Sequence, residues 1–420
     1  MEEIKTKEEF NPANVKKLSF VEILKKIGPG IVLSGIVIGP GAITTAANLG
    51  ASYGYSLLWL YILVGFMGSV YVLATYRLSM ITGLPTLHAI RKYYGPFASR
   101  FTGIALFLTC LFFTMGNISG SGTGLQLLFG INWKIGSLIM IAILLVLYFA
   151  KNVYSKIEKG ITVCIIAMIV AFYITLIGLG GPDWGEAAEG LVSIGRFPEG
   201  SVVAALGFLS THAALTTGIY GTYLGKEKKW TKEDLFNGAM KADAIAHVAC
   251  VILISIAIML VGAIVLNPQG VSLKQPAQLA DLLAPVFGKS AYIIMGVALL
   301  GAAFSSLLGN TQRGLVLLSA GFEKETSLDS KFIKCGCTII LAVCTAICFI
   351  YNGSPVQLIL IANFATCIAT PVSGAFVTLM LWRKDTTGGY KAPTALRVCM
   401  TICYVVCLIL TGFSFYSLIV

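Results

Sequence analysis

Two segments that could form a polar site lie in the middle of apolar stretches of this 420-residue chain. The first is Gly39-Pro40-Gly41-Ala42 with Thr44 and Thr45 after it, and the second is Ser210-Thr211-His212. A proline flanked by glycines interrupts a helix, because proline has no amide hydrogen to donate. Unwound backbone is tolerated in a bilayer only where it lines a cavity or is buried in protein. The two segments therefore predict one polar site inside a membrane domain.

The side chains of these segments are hydrogen-bond donors without an acidic group. The expected donors are the amides of Gly41 and Ala42, the hydroxyls of Thr44, Thr45, Ser210 and Thr211, and the imidazole of His212. A divalent cation usually requires carboxylate oxygens as ligands, and the apolar segments have no Asp or Glu at mid-depth. Because the N-termini of half-helices favour anions, the residues predict a small oxyanion, and bicarbonate, which is flat and monovalent, fits the donors.

The composition predicts the elements that hold this site. The chain is 57% hydrophobic and 12% charged, with a mean hydropathy of +0.85, whereas soluble domains are about 25% charged. Eleven apolar segments are each long enough to cross a bilayer: 29–51, 55–81, 99–129, 133–150, 157–180, 201–224, 242–266, 290–320, 332–351, 355–382 and 393–418. We expect an all-α, multi-pass membrane protein whose partner is the lipid bilayer, with no enzyme activity, no nucleic-acid partner and no obligate protein partner.

The charged residues predict the orientation. Of the 30 Lys and Arg residues, all but Lys134, Arg196, Lys274 and Lys289 fall on the side that would be cytoplasmic if the N-terminus is inside. We therefore expect a cell-membrane protein with a cytoplasmic N-terminus and an extracellular C-terminus.

The two interrupted segments are the first and the sixth, which predicts two five-helix halves. The expected organisation is a cytoplasmic tail at 1–27, a first five-helix repeat at 28–181, an extracellular loop at 182–200, a second five-helix repeat at 201–385 and an extra helix 11 at 386–420. Interruptions in corresponding helices of two halves are typical of the substrate site of a secondary transporter with inverted repeats.

Several short motifs resemble the Nramp family of divalent-metal transporters. They are Gly28-Pro29-Gly30 at the start of the first segment, Thr82-Gly83-Leu84, Tyr94-Gly95-Pro96, the stretch 125–130 (Leu-Gln-Leu-Leu-Phe-Gly), and Ser305-Ser306. The resemblance covers most of the chain, with the motifs in the family's order. It implies a LeuT-type fold with a 5+5 inverted repeat and one extra helix.

The site residues depart from that family. Its metal-binding Asp-Pro-Gly-Asn corresponds to Gly39–Ala42, and its Met-Pro-His corresponds to Ser210–His212, so only the histidine remains. Its helix-3 acids align with Thr114 and Asn117, and its helix-10 Gln aligns with Asn363, which the resemblance adds to the substrate site. The chain thus resembles Nramp-related bicarbonate transporters. We expect alternating-access transport of bicarbonate and no metal site, with an Nramp-type carrier of magnesium or manganese as the alternative.

The resemblance also implies a coupling ion. Ser305 and Ser306 fall where LeuT-type folds often bind sodium, together with backbone carbonyls near Gly35 and Ile38. We expect Na⁺ in this role and no other cofactor.

Overall fold

The structure is a computed structural model that describes residues 14–26, 29–149, 154–227, 229–328, 330–386 and 392–419. Within these ranges the regular elements are all helices, as the composition predicts. Residues 1–13 and 27 of the expected tail, Gly28 of the first motif and part of the boundary near residue 386 lie outside the described residues.

The α-helices follow one another along the whole described chain. Their bounds are α1 (Phe20–Lys26), α2 (Pro29–Val37), α3 (Pro40–Tyr53), α4 (Leu60–Thr82), α5 (Thr86–Phe129), α6 (Trp133–Phe149), α7 (Tyr154–Gly178), α8 (Trp184–Val192), α9 (Ser201–His212), α10 (Leu215–Glu227), α11 (Lys232–Phe236), α12 (Ala239–Val265), α13 (Pro276–Asp281), α14 (Ala284–Phe287), α15 (Ser290–Gly321), α16 (Lys331–Ile350), α17 (Pro355–Ala365), α18 (Ala369–Trp382) and α19 (Thr394–Ile419). Single 3₁₀ turns cover Asn267–Gln269 and Thr366–Ile368.

Many of these helices are long and apolar enough to cross a membrane. Among the described residues, eight stretches meet that standard, and two shorter apolar helices cover Trp133–Val146 and Ile166–Gly178. Each of the eleven predicted segments coincides with a helix or with a pair of helices in line, although the number of membrane crossings remains a prediction.

The first segment is broken where its proline predicts. Helix α2 ends at Val37 and α3 begins at Pro40, and Gly39 between them is extended, with φ −105° and ψ −178°. Pro40 occupies the first position of α3, where a missing amide hydrogen removes no helical hydrogen bond. In the sixth segment, α9 ends at His212 and α10 begins at Leu215. Both breaks therefore place backbone ends inside the protein.

A third break interrupts the tenth segment and was not predicted. The 3₁₀ turn Thr366–Ile368 separates α17 from α18. Thr366 Oγ1 lies 3.0 Å from Ser210 Oγ, so the turn packs directly on α9 near the second break.

Helices α5 and α15 form the most extensive helix pair of the molecule and support the breaks. Helix α5 carries Asn117 and α15 carries Ser306, both buried. These two long helices form the wall against which the break between α2 and α3 packs.

Candidate functional site

The break in the first segment touches α5 and α15 through Gly39. A Cβ atom added to Gly39 would lie 2.5 Å from Ser306 Oγ and 2.7 Å from Asn117 Oδ1. Contacts this short leave no room for a side chain at position 39. The space that a larger residue would need is thus filled by a hydroxyl and an amide oxygen from the neighbouring helices.

Asn363 on α17 joins the first and sixth segments. Its amide group lies against Gly41, where an added Cβ would be 2.6 Å from both Asn363 Oδ1 and Nδ2. Its backbone carbonyl accepts a hydrogen bond of 3.0 Å from Ser210 Oγ. The structure therefore brings together Gly41, Ser210 and Asn363 from three different broken segments.

Three buried polar atoms near the breaks have no hydrogen-bond partner among the described residues. They are Thr44 Oγ1 on α3, His212 Nε2 on α9 and Asn363 Nδ2 on α17, one from each broken segment. Leaving such an atom unpaired costs about 1–3 kcal/mol. Native proteins keep buried polar groups paired with few exceptions. Eleven buried polar atoms of the described residues are unpaired, and the occurrence of one in each broken segment makes the breaks the candidate place for a ligand.

The hydrogen bond of His212 Nδ1 determines whether the Nε2 atom can bind a cation or an anion. Its Nδ1 atom lies 2.9 Å from the carbonyl oxygen of Phe208. Since a carbonyl can only accept, Nδ1 must carry the proton. The Nε2 atom of the neutral ring then presents a lone pair. Metal-binding histidines commonly show this arrangement, in which the other ring nitrogen donates to a carbonyl or carboxylate.

Most of the predicted anion donors are already engaged within the protein. Thr45 Oγ1 donates to Gly41 O at 2.8 Å and Thr211 Oγ1 donates to Gly207 O at 2.7 Å. Ser210 Oγ donates to the carbonyl of Asn363. The amides of Gly41 and Ala42 remain in the first turn of α3, where N–H groups have no acceptor within the helix.

The backbone at the breaks offers both signs of partial charge. The N-termini of α3 and α10 present amides, while the C-termini of α2 and α9 present carbonyls. Within the described ranges, no three His, Cys, Asp or Glu side chains come together. The three unpaired side-chain atoms at the breaks belong to neutral groups, and among them the Nε2 atom of His212 offers a nitrogen lone pair.

The residues predicted to bind sodium lie partly together. Ser305 Oγ donates to the carbonyl of Gly35 at 3.0 Å, and Ser306 Oγ donates to the carbonyl of Ile36 at 2.9 Å. Both serines thus reach carbonyls near the end of α2. Gly35 is one of the two predicted carbonyls, but the second carbonyl that the serines contact belongs to Ile36, whereas Ile38 was predicted. Sodium binding at this position remains a prediction.

Sequence reasoning missed a buried polar face on α15. Arg313, which the charge count assigned to the cytoplasmic segments, is 1% exposed. Its Nη1 lies 3.3 Å from Thr217 Oγ1, its Nη2 lies 2.5 Å from Asn310 Oδ1, and its guanidinium lies 5.3 Å from the Phe113 ring centroid. The spacing of Ser306, Asn310 and Arg313 at i, i+4 and i+7 was the available signal, because such residues share one helix face.

Comparisons with known proteins agree on one family. The family model described as "Natural resistance-associated macrophage protein-like" matches residues 30–417. A divalent metal cation transporter, MntH, of Deinococcus radiodurans is 23% identical over 94% of this chain and 91% of its own length. The uncharacterized membrane protein YcsG of Bacillus subtilis is 23% identical, covering 87% and 88%. The solved manganese transporter of Eremococcus coleocola superposes with a TM-score of 0.76 at 16% identity, covering 96% of this chain and 89% of that one.

The prediction that bicarbonate is the partner of this protein is wrong. The relatives are named as transporters of divalent metal cations and manganese, which carry the opposite charge. The geometry gives a physical reason: His212 presents an acceptor, and the hydroxyls of Thr45, Ser210 and Thr211 are already bound to carbonyls. The expected LeuT-type fold is confirmed. Because the family model matches residues 30–417, which is nearly the whole sequence, the chain belongs to the Nramp family.

Proposed function

We propose that this protein is a secondary transporter that carries a divalent metal cation across the membrane by alternating access. The observation that supports the proposal best is the unpaired Nε2 lone pair of His212 at the end of α9. The names of the relatives point to the same class of substrate.

The ligands of the cation would be neutral. Besides His212 Nε2, they include the hydroxyl of Thr44, Asn117 Oδ1 and the side-chain oxygen of Asn363, whose amide can be turned to present either atom. Imidazole nitrogen and amide oxygen together suit first-row divalent metals, and Mg²⁺ retains several of its waters when bound. Because no carboxylate cancels the charge, the cation would keep part of its hydration shell and saturate the site at higher concentration than a carboxylate site would require.

The coupling ion is a separate part of the proposal. The hydroxyls of Ser305 and Ser306 lie against carbonyls of α2, next to the break that Gly39 occupies. Na⁺ accepts such neutral oxygen ligands. A sodium ion there would connect α15 to the first segment, so an inward sodium gradient could drive cation uptake.

Uptake of Mn²⁺ into proteoliposomes tests the proposal. The purified protein is reconstituted with a metal-sensitive dye inside, and Mn²⁺ or Mg²⁺ is added outside with and without a sodium gradient. We expect saturable uptake of one or both cations, which His212→Ala abolishes. Thr211→Ala is the matched control, because the adjacent Thr211 hydroxyl donates to its own helix. Absence of saturable uptake of both metals, or full uptake by folded His212→Ala, would contradict the proposal.

A further inference from the structure

Helices α2 and α12 meet through two residue pairs with matching spacing. Gly30 N donates to Asp243 Oδ2 at 2.8 Å. One turn further along both helices, Ser34 Oγ lies 2.9 Å from His247 Nδ1. Tyr76 on α4 also donates to Asp243 Oδ2, at 3.1 Å. We call this contact, formed by Gly30, Ser34, Asp243 and His247, the inner junction.

The inner junction buries a carboxylate and an imidazole. Asp243 is 0% exposed and His247 is 3% exposed. Among the described side chains, Asp243 is the one acid buried inside a long apolar helix. Residues at i and i+4 project from one face of a helix. Asp243 and His247 can therefore reach a common ion if the groups that now cover them leave.

Helix α2 is the element that covers this pair. It is nine residues long and ends next to the break at Gly39, so a displacement of α2 would take place about that break. Its displacement would carry away Gly30 N and Ser34 Oγ together. Asp243 and His247 would then face the space that α2 had occupied, with Tyr76 on α4 still bonded to Asp243.

We propose that Asp243 and His247 form a second binding site for a divalent cation, which α2 covers in this structure and opens when it moves away. The chemical class of the ion rests on the proposed function. The site offers a carboxylate and an imidazole, both ligands of first-row divalent metals. The Asp243 carboxylate supplies the negative charge of the pair, so it is the essential ligand.

This second site would favour movement of the cation from the central site towards the inner side. The central site is neutral, whereas the inner junction supplies a negative charge only after α2 has opened. A cation bound there replaces Gly30 N–H as the partner of Asp243 and therefore stabilises the open position of α2. Cation binding and opening towards the inner side thus favour each other.

Gly30→Leu provides a way to open the site. A Cβ atom on Gly30 would lie 2.3 Å from the backbone oxygen of Asp243 and 2.9 Å from its Oδ2, so a leucine must push α2 away from α12. Val32→Leu is the matched control, because Val32 lies on the same helix and is exposed. Hydrogen exchange of the α2 amides should become faster in Gly30→Leu and not in Val32→Leu. Unchanged exchange in Gly30→Leu would overturn the role given to the inner junction.

Calorimetric titration with Mn²⁺ on the purified full-length chain then counts the ions. We expect one ion in the wild type and in Val32→Leu, two in Gly30→Leu, and one in Gly30→Leu/Asp243→Asn. His247→Ala in the opened variant should weaken the second ion at least tenfold. The combination Gly30→Leu/His212→Ala should retain only the second ion.

These variants separate the two proposals. If Gly30→Leu binds no additional ion, or if the additional ion survives Asp243→Asn, the second site is refuted while the central site stands. If His212→Ala in the closed protein still binds the first ion, the proposed function fails at the central site, independently of the inner junction.

Discussion

The central site and the inner junction are both buried and polar, but their hydrogen bonding differs. At the centre, Thr44, His212 and Asn363 each have a buried atom without a partner, and these three side chains are neutral. At the inner junction, Asp243, His247 and Ser34 are hydrogen-bonded across two or three helices. Unpaired atoms indicate where a ligand enters, and paired atoms indicate where the protein closes upon itself. With α2 in the closed position of this structure, substitutions should therefore affect binding at the centre and stability at the inner junction.

The largest effect is expected at the centre. His212→Ala should lower kcat/KM for Mn²⁺ uptake by about 100-fold or more, since even indirect partners of metal ligands contribute about 10–100-fold. It should lower the melting temperature by less than Asp243→Ala does, because the Nε2 atom has no partner to lose and only the Nδ1 bond to Phe208 and the stacking on its ring are removed. Initial uptake rates and thermal unfolding in detergent measure the two quantities. If His212→Ala loses as much stability as Asp243→Ala does, the centre and the inner junction would not differ in the way proposed.

A substitution at the inner junction should have the opposite profile. Asp243→Ala removes the acceptor of Gly30 N and Tyr76 Oη. Two buried donors without a partner should lower the free energy of unfolding by about 2–4 kcal/mol. Asp243→Asn, which keeps one acceptor oxygen, should lose less. Thermal unfolding of both variants checks the order, and equal stability of Asp243→Ala and the wild type would contradict it.

The predicted sodium position lies between the two regions and should give a smaller effect. Ser305→Ala with Ser306→Ala removes hydroxyls that bind the carbonyls of Gly35 and Ile36. We expect any stimulation of Mn²⁺ uptake by sodium to disappear, with a stability loss of about 1 kcal/mol per hydrogen bond. Uptake in sodium and in choline buffers measures this dependence. Sodium stimulation that persists in the double variant would refute the assignment to α15.

The smallest effect concerns the contact that precedes α2. Lys26 Nζ on α1 donates to Asp234 Oδ1 on α11. Burial raises the pKa of Asp234, but hydrogen bonds from Lys26, Thr231 and Asn237 and the charge of Lys26 outweigh it, so the pKa lies below its ordinary value of 3.8. A lowered pKa contributes stability that is present above the ordinary value and is lost as pH falls through the folded-state value.

Melting temperatures across pH test this contact. Since Lys26 is partly exposed, Lys26→Gln should cost less than about 1 kcal/mol at neutral pH. The difference from the wild type should begin to shrink as the pH falls below about 4, where the unfolded carboxyl is protonated, and should vanish once the pH lies below the folded-state pKa of Asp234. A difference that stays constant to lower pH would mean that the carboxylate charge of Asp234 is not involved.

Local chemistry made part of the fold predictable. Pro40 predicted the first break, because proline lacks an amide hydrogen and interrupts a helix whatever its surroundings. The second break was placed near His212, although the unwound residues are Ala213 and Ala214, which carry no signal of their own. The break at Thr366 was missed, although Pro371 in the first turn of α18 is a signal for it; its contacts with Ser210 come from another helix and could not be read from the sequence.

The charge preference of the site could not be obtained from residue types. Serine, threonine and histidine can donate or accept, and the sequence does not show which role each has. The hydrogen bond from His212 Nδ1 to the Phe208 carbonyl makes the Nε2 atom an acceptor. Hydrogen bonds within their own helices use the hydroxyl protons of Thr45 and Thr211. The partners of Asp243 were equally hidden, because Gly30 and Tyr76 are distant in the sequence.

The neutral centre makes the transport step sensitive to voltage. A carboxylate at the ion would offset part of its charge and would move a negative charge when the carrier returns empty. In the proposed site the ligands are neutral, so each bound cation adds its full double charge to the carrier. A membrane potential of about 100 mV, negative inside, then contributes about 4.6 kcal/mol to the inward movement of each ion. The electrical field would thus act on the charge that each ion adds to the loaded half of the cycle.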